Sequence, residues 1–291
     1  MTEGDIAAAN GDNANAEGYL LGHSNLEHRR LMIQSAFLRP WTTRYLRAAG
    51  ISEGMSVLDI GSGLGDIALI AAGIVGPGGR VVGVERDPSA VTTARGRAGS
   101  EGCADYVRIE QAALDDFDTA DRFDALVGRF VLQYQPDPAA ALRRLASFVR
   151  PGGIIVMHDM DFGDSDVSFP ACQLWNDFYA LPGKLFRATG IAPDFGRHLT
   201  RTFLDAGLPW PDVESDTMTG GKPGSTVFAW LGSVVQALEP LLTAAGIELP
   251  SGASIDDGLS AALEKAVLDS RSMVLGSTQY GAWVRLPGGR D

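Results

Sequence analysis

Apolar residues follow two patterns through the middle of the chain. Short apolar runs alternate with segments in which apolar residues recur at helical spacing, and glycine- or proline-rich turns separate the two. The runs are residues 57–60, 81–85, 106–110, 123–128 and 154–158. Runs this short predict strands that are buried on both faces of a sheet. Because the strands alternate with helices, the pattern predicts an α/β fold with a doubly wound, mostly parallel sheet.

The segment before this region is polar at first and then helical. Residues 1–17 are rich in Ala, Asn, Gly and Asp without an apolar period, which predicts a disordered tail. Two helices are predicted next, separated at Pro40 and Trp41 and ended by Gly50. The predicted division is a tail at 1–17, a helical cover at 18–50, an α/β core at 51–161, and lid helices with the remaining strands at 162–291.

The last part of the chain is less regular. Apolar spacing predicts helices at residues 174–181, 195–206, 227–245 and 259–267, and strands at residues 213–218 and 281–285. Helices inserted between two late strands of a sheet would lie over its edge as a lid.

Charge and composition exclude several classes of partner. The net charge of −12 disfavours a nucleic-acid partner, because neutralising phosphates requires clustered Lys and Arg. The only two cysteines, Cys103 and Cys172, predict neither a disulfide framework nor a zinc site. No signal peptide is visible and no apolar run approaches the length of a membrane span, so no membrane partner and a cytoplasmic location are expected.

The turn after the first predicted strand carries the strongest chemical signal. Gly61, Gly63 and Gly65 alternate there, with Asp59 at the end of the strand and a helical run directly after the turn. A glycine turn between a strand and a helix lets a ligand approach backbone N–H groups. The spacing differs from the dinucleotide fingerprint, in which the third glycine is three positions after the second. Glu85 ends the next strand, where a carboxylate can accept from two ribose hydroxyls.

Four motifs in order resemble those of class I S-adenosyl-L-methionine (SAM)-dependent methyltransferases. They are the glycine turn at residues 59–65, the strand end at 84–85, the fourth strand at 123–132, and the helix and turn at 142–153. The branch they resemble contains small-molecule methyltransferases similar to the quinone-biosynthesis enzymes. This resemblance implies a Rossmann-like, mostly parallel seven-stranded sheet with N-terminal helices and a helical lid.

The resemblance also implies an activity. It points to SAM as the cofactor, and to methyl transfer by in-line displacement to a small, apolar or aromatic acceptor. Such an enzyme would work in secondary metabolism, and a homo-oligomer is compatible with it.

Cofactor contacts follow from the resemblance residue by residue. Gly61, Ser62 and Gly63 would pass beneath the methionyl part of SAM, Glu85 would bind the ribose, and Arg86 would lie along the adenine. The complete set of expected cofactor residues is Tyr19, Gln34, Asp59, Gly61, Ser62, Gly63, Glu85, Arg86, Ala112, Ala113, Leu114, Arg129 and Phe130. Many family members have Asp where this chain has Ala113, so adenine recognition here would use backbone groups, Asp115 or Asp116.

His158 is the candidate general base, because it ends the fifth strand on the side where ligands bind in such sheets. A hydrogen-bonded structural histidine is the alternative for this residue. A divalent cation held by His158, Asp159 and Asp161 is a further alternative, although no metal is expected. The candidate acceptor-binding residues are Gln133, Trp175, Tyr179, Arg197, His198 and Trp283.

Other functions remain compatible with the sequence. A SAM-fold protein that catalyses a different reaction, a dinucleotide-dependent oxidoreductase and a non-catalytic SAM-binding scaffold are the alternatives. The glycine spacing disfavours the oxidoreductase, whereas Ala113 in place of Asp favours the scaffold slightly.

Overall fold

The structure is a computed structural model that describes residues 25–163, 167–250 and 254–289, with the backbone alone for residues 25–34 and 36. Its helices are α1 (Asn25–Ala48), α2 (Asp66–Val75), α3 (Pro88–Ser100), α4 (Pro138–Ala146), α5 (Gln173–Ala188), α6 (Phe195–Asp205), α7 (Thr226–Ala244) and α8 (Leu259–Asp269). Its strands are β1 (Ser56–Ile60), β2 (Arg80–Glu85), β3 (Val107–Gln111), β4 (Phe123–Arg129), β5 (Val149–Asp161), β6 (Ser168–Phe169), β7 (Asp212–Gly220) and β8 (Met273–Arg285). A single 3-10 turn, Leu132–Tyr134, follows β4 within these ranges.

All of these strands belong to one sheet with the order β3-β2-β1-β4-β5-β8-β6, in which β7 also pairs with β8. Strands β1 to β5 are parallel, and β8 is antiparallel to β5, β6 and β7. The predicted α/β class and mostly parallel sheet are confirmed. The described strands number eight because the two-residue β6 adds to the seven expected.

The parallel strands bring their carboxyl ends to one edge of the sheet. Ile60 of β1 pairs with Val84 of β2 and with Gly128 of β4, and Arg129 of β4 pairs with His158 of β5. Loops that follow these strands therefore converge, which is where ligands bind in open α/β sheets. This edge carries the candidate site.

Three groups of buried apolar side chains cover the sheet. One lies between the sheet and helices α2, α3 and the C-terminal half of α1. Another lies on the opposite face, beneath α4 and α6. The third joins α5, α7 and α8 with the middle of α1, and forms a helical layer beside the ligand-binding edge.

The N-terminal helix differs from the prediction of two helices. α1 runs without a break from Asn25 to Ala48, with Pro40 inside it. A proline in a helix interior removes a hydrogen bond and costs about 3 kcal/mol. Leu38, Thr42 and Tyr45 are buried on both sides of Pro40, so tertiary packing outweighs that cost. Gly50 follows the helix with a left-handed φ of 95°, as the predicted end requires.

Two boundaries in the second half also differ. α4 ends at Ala146, and β5 starts at Val149, within the helix and turn predicted at 142–153. The lid helices enter at two points rather than one: α5 and α6 precede β7, whereas α7 and α8 lie between β7 and β8.

Helix α7 corrects the expectation that no apolar segment approaches a membrane span. It is 19 residues long with a mean hydropathy of 1.4, which satisfies length and composition criteria for crossing a membrane. Half of it is buried within the fold, where it packs against α1, α5 and α8. A core helix has the same properties, so this single helix is weak evidence for a membrane span.

Candidate functional site

The glycine turn leaves the end of β1 in a left-handed conformation. Gly61, Gly63 and Gly65 have φ angles of 60°, 53° and 82°, which side chains adopt only with strain. A Cβ atom at Gly61 would lie 2.5 Å from a methyl carbon of Val131, so this position has no room for one. A Cβ atom at Gly63 would meet no other atom within 4 Å. The turn is therefore open at Gly63, and α2 begins directly after Gly65.

Glu85 lies against this open part of the turn. One oxygen of its carboxylate accepts from the Gly63 N–H at 2.8 Å. The other oxygen accepts from the N–H groups of Arg86 and Asp87, at 2.8 and 2.9 Å. Backbone groups thus hold the carboxylate at the end of β2, where it can accept from vicinal hydroxyls of a bound ribose. Glu85 is the last residue of β2, as the sequence predicted, and its contact with a ribose stays a prediction.

Asp59 is buried beneath the turn. Its Oδ2 accepts from the Ser62 hydroxyl at 2.7 Å, while no hydrogen bond reaches its Oδ1 from the described residues. Burial raises the pKa of Asp59 to about 7, against smaller opposing effects of the Ser62 hydrogen bond and the Arg129 charge. Ser62 itself fits only because residue 83 is glycine, where a Cβ atom would lie 2.6 Å from the Ser62 hydroxyl oxygen.

The residue that starts α2 is clamped by two arginines. Arg97 of α3 reaches one oxygen of Asp66 at 2.6 Å, and Arg129 of β4 reaches the other at 3.3 Å. The side chains of Asp66 and Arg129 are only 7% and 5% exposed, so this ion pair is well removed from solvent. An acidic residue at a helix N-terminus is favourable on its own, and here it also ties α2, α3 and β4 together.

His158 is buried, and both of its ring nitrogens are engaged. Nδ1 lies 3.1 Å from the Thr42 hydroxyl of α1, and Nε2 lies 3.1 Å from Oε1 of Gln279 in β8. Burial and the Arg129 charge hold the pKa of His158 well below its usual range. Neither nitrogen is open to an acceptor in this arrangement. The geometry therefore favours the structural histidine over the general base, and the catalytic role stays a prediction.

The segment after β4 contains a strained residue and an unpaired amide. Phe130 has a left-handed φ of 57°, which is uncommon for a residue with a bulky side chain. Its ring lies 5.5 Å from that of His158. Gln133 follows in the 3-10 turn and is 6% exposed, and its Nε2 has no hydrogen-bond partner among the described residues. Buried amides without a partner are rare and call for an explanation such as a ligand.

The residues expected around the adenine lie after β3. The Ala112 N–H donates to the Glu85 carbonyl at 2.9 Å, which places this loop next to the end of β2. The Leu114 carbonyl accepts from the Arg144 guanidinium at 2.7 Å. Ala112, Ala113 and Leu114 are all half-buried, and Arg86 is exposed. Their contacts with adenine remain predictions.

The candidate acceptor residues are scattered. Trp175 and Tyr179 of α5 are fully buried in the helical layer, and their polar atoms donate to the carbonyls of Leu275 and Gly276, at 3.1 and 3.3 Å. Trp283 pairs with Val156 in the sheet and its ring stacks 6.5 Å from that of Tyr45.

Arg197 and His198 lie at the start of α6. Arg197 forms an ion pair with the buried Asp161, while half-exposed His198 lies 3.5 Å from Asp194. The structure therefore places the predicted acceptor residues in several regions. Gln133 is the one among them that follows β4, the strand paired with β1, and β1 leads into the glycine turn. Tyr19 lies outside the described residues, and Gln34 is described by its backbone within α1.

The alternative of a metal site finds no geometric support in the described ranges. No group of three His, Cys, Asp or Glu residues there could hold a metal ion. His158 and Asp159 are successive residues of β5 and so point to opposite faces. Asp161 is already paired with Arg197.

Three further residues belong to the site although the sequence did not reveal them. Asp66 could have been found, because it is an acidic residue placed directly after the glycine turn. Thr42 and Gln279 give no local signal: one lies within a helix and the other within a strand, 237 positions apart by their numbers. Only the tertiary fold brings them to opposite sides of His158.

Sheet order and loop geometry define an α/β domain that presents a glycine turn, with the Glu85 carboxylate beside it, at its carboxyl edge. Residues 51–189 match the family model described as methyltransferase domain. This part of the chain is thus similar to class I SAM-dependent methyltransferase domains. The comparisons support the predicted family and SAM as the predicted cofactor, and the individual contacts stay predictions.

Two curated relatives are similar to part of this chain. The ubiquinone/menaquinone biosynthesis C-methyltransferase of Hahella chejuensis is 29% identical over 145 residues, which cover 50% of this chain and 58% of that protein. An uncharacterised 37.1 kDa protein in a transposon of Streptomyces fradiae is 30% identical over 177 residues, or 60% of this chain and 49% of that protein. The chain thus spans about half the length of these two relatives.

Solved structures show the same fold. The phosphoethanolamine N-methyltransferase 2 of Haemonchus contortus superposes with a TM-score of 0.52 at 17% identity, covering 85% of this chain and 52% of that one. At this identity the likeness concerns the fold alone.

Proposed function

We propose that this protein transfers the methyl group of SAM to a small acceptor that is largely apolar or aromatic. One observation carries the proposal: the left-handed glycine turn is open at Gly63, and backbone N–H groups hold the Glu85 carboxylate beside that opening. A ribose bound at Glu85 would direct the rest of the cofactor along the turn towards the start of α2.

The chain's own residues would position the two reactants. The turn at Gly61–Gly63 provides backbone beneath the methionyl part, and Arg129 and Asp66 fix the start of α2 beside it. When bound, SAM would supply an electrophilic methyl carbon: the acceptor atom would bond to it as the C–S bond breaks with its electron pair left on sulfur, and the proton of the acceptor would pass to solvent. Holding the acceptor behind that carbon and excluding water is the protein's main contribution.

The proposed acceptor class has two supports. The helical layer contributes apolar and aromatic side chains close to the end of β4, with Phe37, Trp41 and Phe130 partly buried against it. The relative from Hahella chejuensis is named for quinone biosynthesis, and quinones are flat and apolar. A pocket of such side chains with a few polar groups is typical of small-molecule sites.

Gln133 is the polar group that would orient this acceptor. Its buried Nε2 has a donor to offer, which suits a carbonyl, phenol or quinol oxygen of the acceptor. A donor directed at such an oxygen would also stabilise negative charge that develops as the acceptor is deprotonated. In this arrangement His158 supports the site through its hydrogen bonds and does not touch the acceptor.

Two measurements on the full chain test the proposal. The first is a calorimetric titration with SAM, S-adenosylhomocysteine (SAH), NAD and NADP. We expect binding of SAM and SAH only, and binding of NAD without SAM would overturn the proposal. The second is a screen with methyl-labelled SAM over quinols, phenols, amines and carboxylates. Label in a quinol or phenol product supports the proposed acceptor class.

The same screen separates the competing functions. If SAM binds tightly but no labelled product forms with any acceptor class, a non-catalytic or non-methylating SAM-fold protein replaces our proposal. If amines or carboxylates alone are labelled, methyl transfer stands and the acceptor class is wrong.

A further inference from the structure

A line of hydrogen bonds crosses the protein from its last strand to the glycine turn. It runs from Gln279 through His158 and Thr42 to Arg129, with donor–acceptor distances of 3.1, 3.1 and 3.0 Å. The four residues belong to β8, β5, α1 and β4. We call these four residues the relay line.

Contacts at both ends of the relay line favour one direction for each of its hydrogen bonds. Arg129 can only donate, so the Thr42 oxygen accepts from it and the Thr42 hydroxyl proton remains for His158 Nδ1. At the other end, Gln279 Nε2 donates to the Ser277 hydroxyl at 2.7 Å, so Oε1 faces His158 as an acceptor. These contacts favour the His158 tautomer that carries its proton on Nε2 and none on Nδ1.

The surroundings of His158 keep it neutral. Arg129 of β4, Thr42 and Tyr45 of α1 and Gln279 of β8 face it from three different elements, together with the Phe130 ring. Arg129 is the only charged group in this set, and its positive charge opposes a proton on Nδ1. With that second proton, His158 and Arg129 would both donate to Thr42, and the Thr42 hydroxyl would lose its acceptor.

The relay line ends where the cofactor's methionyl part is expected. Arg129 donates to Thr42 from one nitrogen and contacts Asp66 with another. Asp66 is the first residue of α2, directly after Gly65 of the glycine turn. Glu85, which would hold the adenosine, lies on the other side of the turn and does not belong to the relay line.

We propose that Thr42 and His158 are positioning residues that set the orientation of Arg129 for the methionyl part of the cofactor. The inference rests on the proposed function, because it assumes SAM as the ligand. It assigns to the N-terminal helix a role in cofactor selection: the helix contributes the hydroxyl that holds the arginine in place.

The test compares two ligands that share adenosine and differ in the methionyl part. SAH contains the amino-acid part, and 5′-methylthioadenosine lacks it. We expect Thr42→Val to weaken the binding of SAH about tenfold and that of methylthioadenosine less than about twofold, since only SAH has the amino-acid part that would contact Arg129. Thr42→Ser keeps the hydroxyl and should restore the preference for SAH.

A matched control separates positioning from general destabilisation. Thr202 of α6 is also a buried helical threonine, and its hydroxyl donates to a backbone carbonyl within its own helix. Thr202→Val should leave the affinity ratio of the two ligands unchanged. His158→Ala should reduce this ratio as Thr42→Val does, whereas a histidine that acts only as a base would leave it unaltered.

Each remaining outcome has a definite meaning. An unchanged affinity ratio of SAH to methylthioadenosine in Thr42→Val would overturn the proposed positioning role and leave the proposed function intact. Equal weakening of both ligands, or no restoration by Thr42→Ser, would show a structural role only and also overturn it. Failure of the unmodified protein to bind SAH would instead overturn the proposed function.

Discussion

Two regions on either side of the ligand-binding edge are built from different kinds of contacts. Around the glycine turn, buried charged and polar groups are paired with one another, as in the clamp of Asp66 by Arg97 and Arg129. In the helical layer, rings are packed against rings. Trp230 of α7 stacks between Phe37 and Phe162, with centroid distances of 6.1 and 5.7 Å.

This difference separates ligand recognition from stability. Buried ion pairs add little to the net free energy of folding, because the charges lose their hydration. Stacked aromatic side chains contribute through the large area that they bury. Changes near the turn that leave these ion pairs intact should therefore act mainly on cofactor affinity, and changes in the helical layer mainly on the free energy of unfolding.

The largest expected effect tests the helical layer. Replacing Trp230 with Ala should lower the free energy of unfolding by about 3–5 kcal/mol, because it leaves a cavity in the ring stack. Urea denaturation measures this value. Trp210→Ala is the control, since Trp210 is 77% exposed and its loss should change stability by less than about 0.5 kcal/mol. Equal effects of the two variants would contradict the comparison.

The second prediction concerns the open face of the turn. Gly63→Ala should weaken the binding of SAH about a hundredfold, because the new methyl group enters the space that the cofactor needs. Gly102, with a φ of 70° and equally open surroundings, is the matched control far from the turn. Both variants should lose about 1–2 kcal/mol of stability through left-handed strain. Calorimetric titration checks the affinities, and normal SAH binding by Gly63→Ala would place the cofactor elsewhere.

The third prediction uses the titration of Asp59. Its pKa of about 7 in the folded protein exceeds the unfolded value of 3.8, so the folded form retains a proton that the unfolded chain releases. The stabilisation of the folded protein by this retained proton is fully present below pH 3.8 and is lost as the pH rises through about 7. The stability of Asp59→Asn relative to the unmodified protein should thus increase by about 2 kcal/mol from pH 5 to pH 7.

Urea denaturation at several pH values measures this difference. Asp159, whose pKa burial raises, and His158, whose pKa is lowered, titrate in both proteins and cancel in the comparison. A difference that is independent of pH would show that Asp59 is ionised throughout this range.

The smallest effect concerns the acceptor. Gln133→Leu removes a donor that has no partner in the described protein, so stability should hardly fall. The KM of the Gln133→Leu variant for the acceptor should rise about fivefold, while its affinity for SAH stays constant. Gln135→Leu is the control, because the Gln135 amide donates to the Val131 carbonyl and its loss should affect stability alone. The opposite pattern would assign Gln133 a structural role.

The glycine turn and Glu85 could be predicted from the sequence because their signals are local. The glycines at 61, 63 and 65 need left-handed angles, which only glycine adopts readily, and Glu85 ends a continuous apolar strand. Strands β1 to β5 could be predicted from short buried runs. Local conformational requirements of this kind act on residues that are close together in the chain.

The remainder depends on contacts between distant residues. Pro40 suggested a helix break, but burial of Thr42 and Tyr45 keeps α1 intact. The sequence predicted that His158 ends the fifth strand, whereas β5 continues to Asp161. Nothing in the sequence indicated that α1 and β8 would occupy both ring nitrogens of His158. Trp175 and Tyr179 have the spacing of either a pocket or a core helix, and no local property distinguishes the two.

Strand β8 has a consequence for how this protein reaches its native state. It pairs with β5, β6 and β7, all of which precede it in sequence, and it carries the relay residue Gln279. Residue 154 of β5 pairs with residue 285, so this part of the sheet closes loops of well over one hundred residues. Closing long loops slows folding, because chain entropy is lost before the contacts form. The hydrogen bonds that orient Arg129 should therefore be among the last to form, later than the local strand–turn–helix unit that they complete.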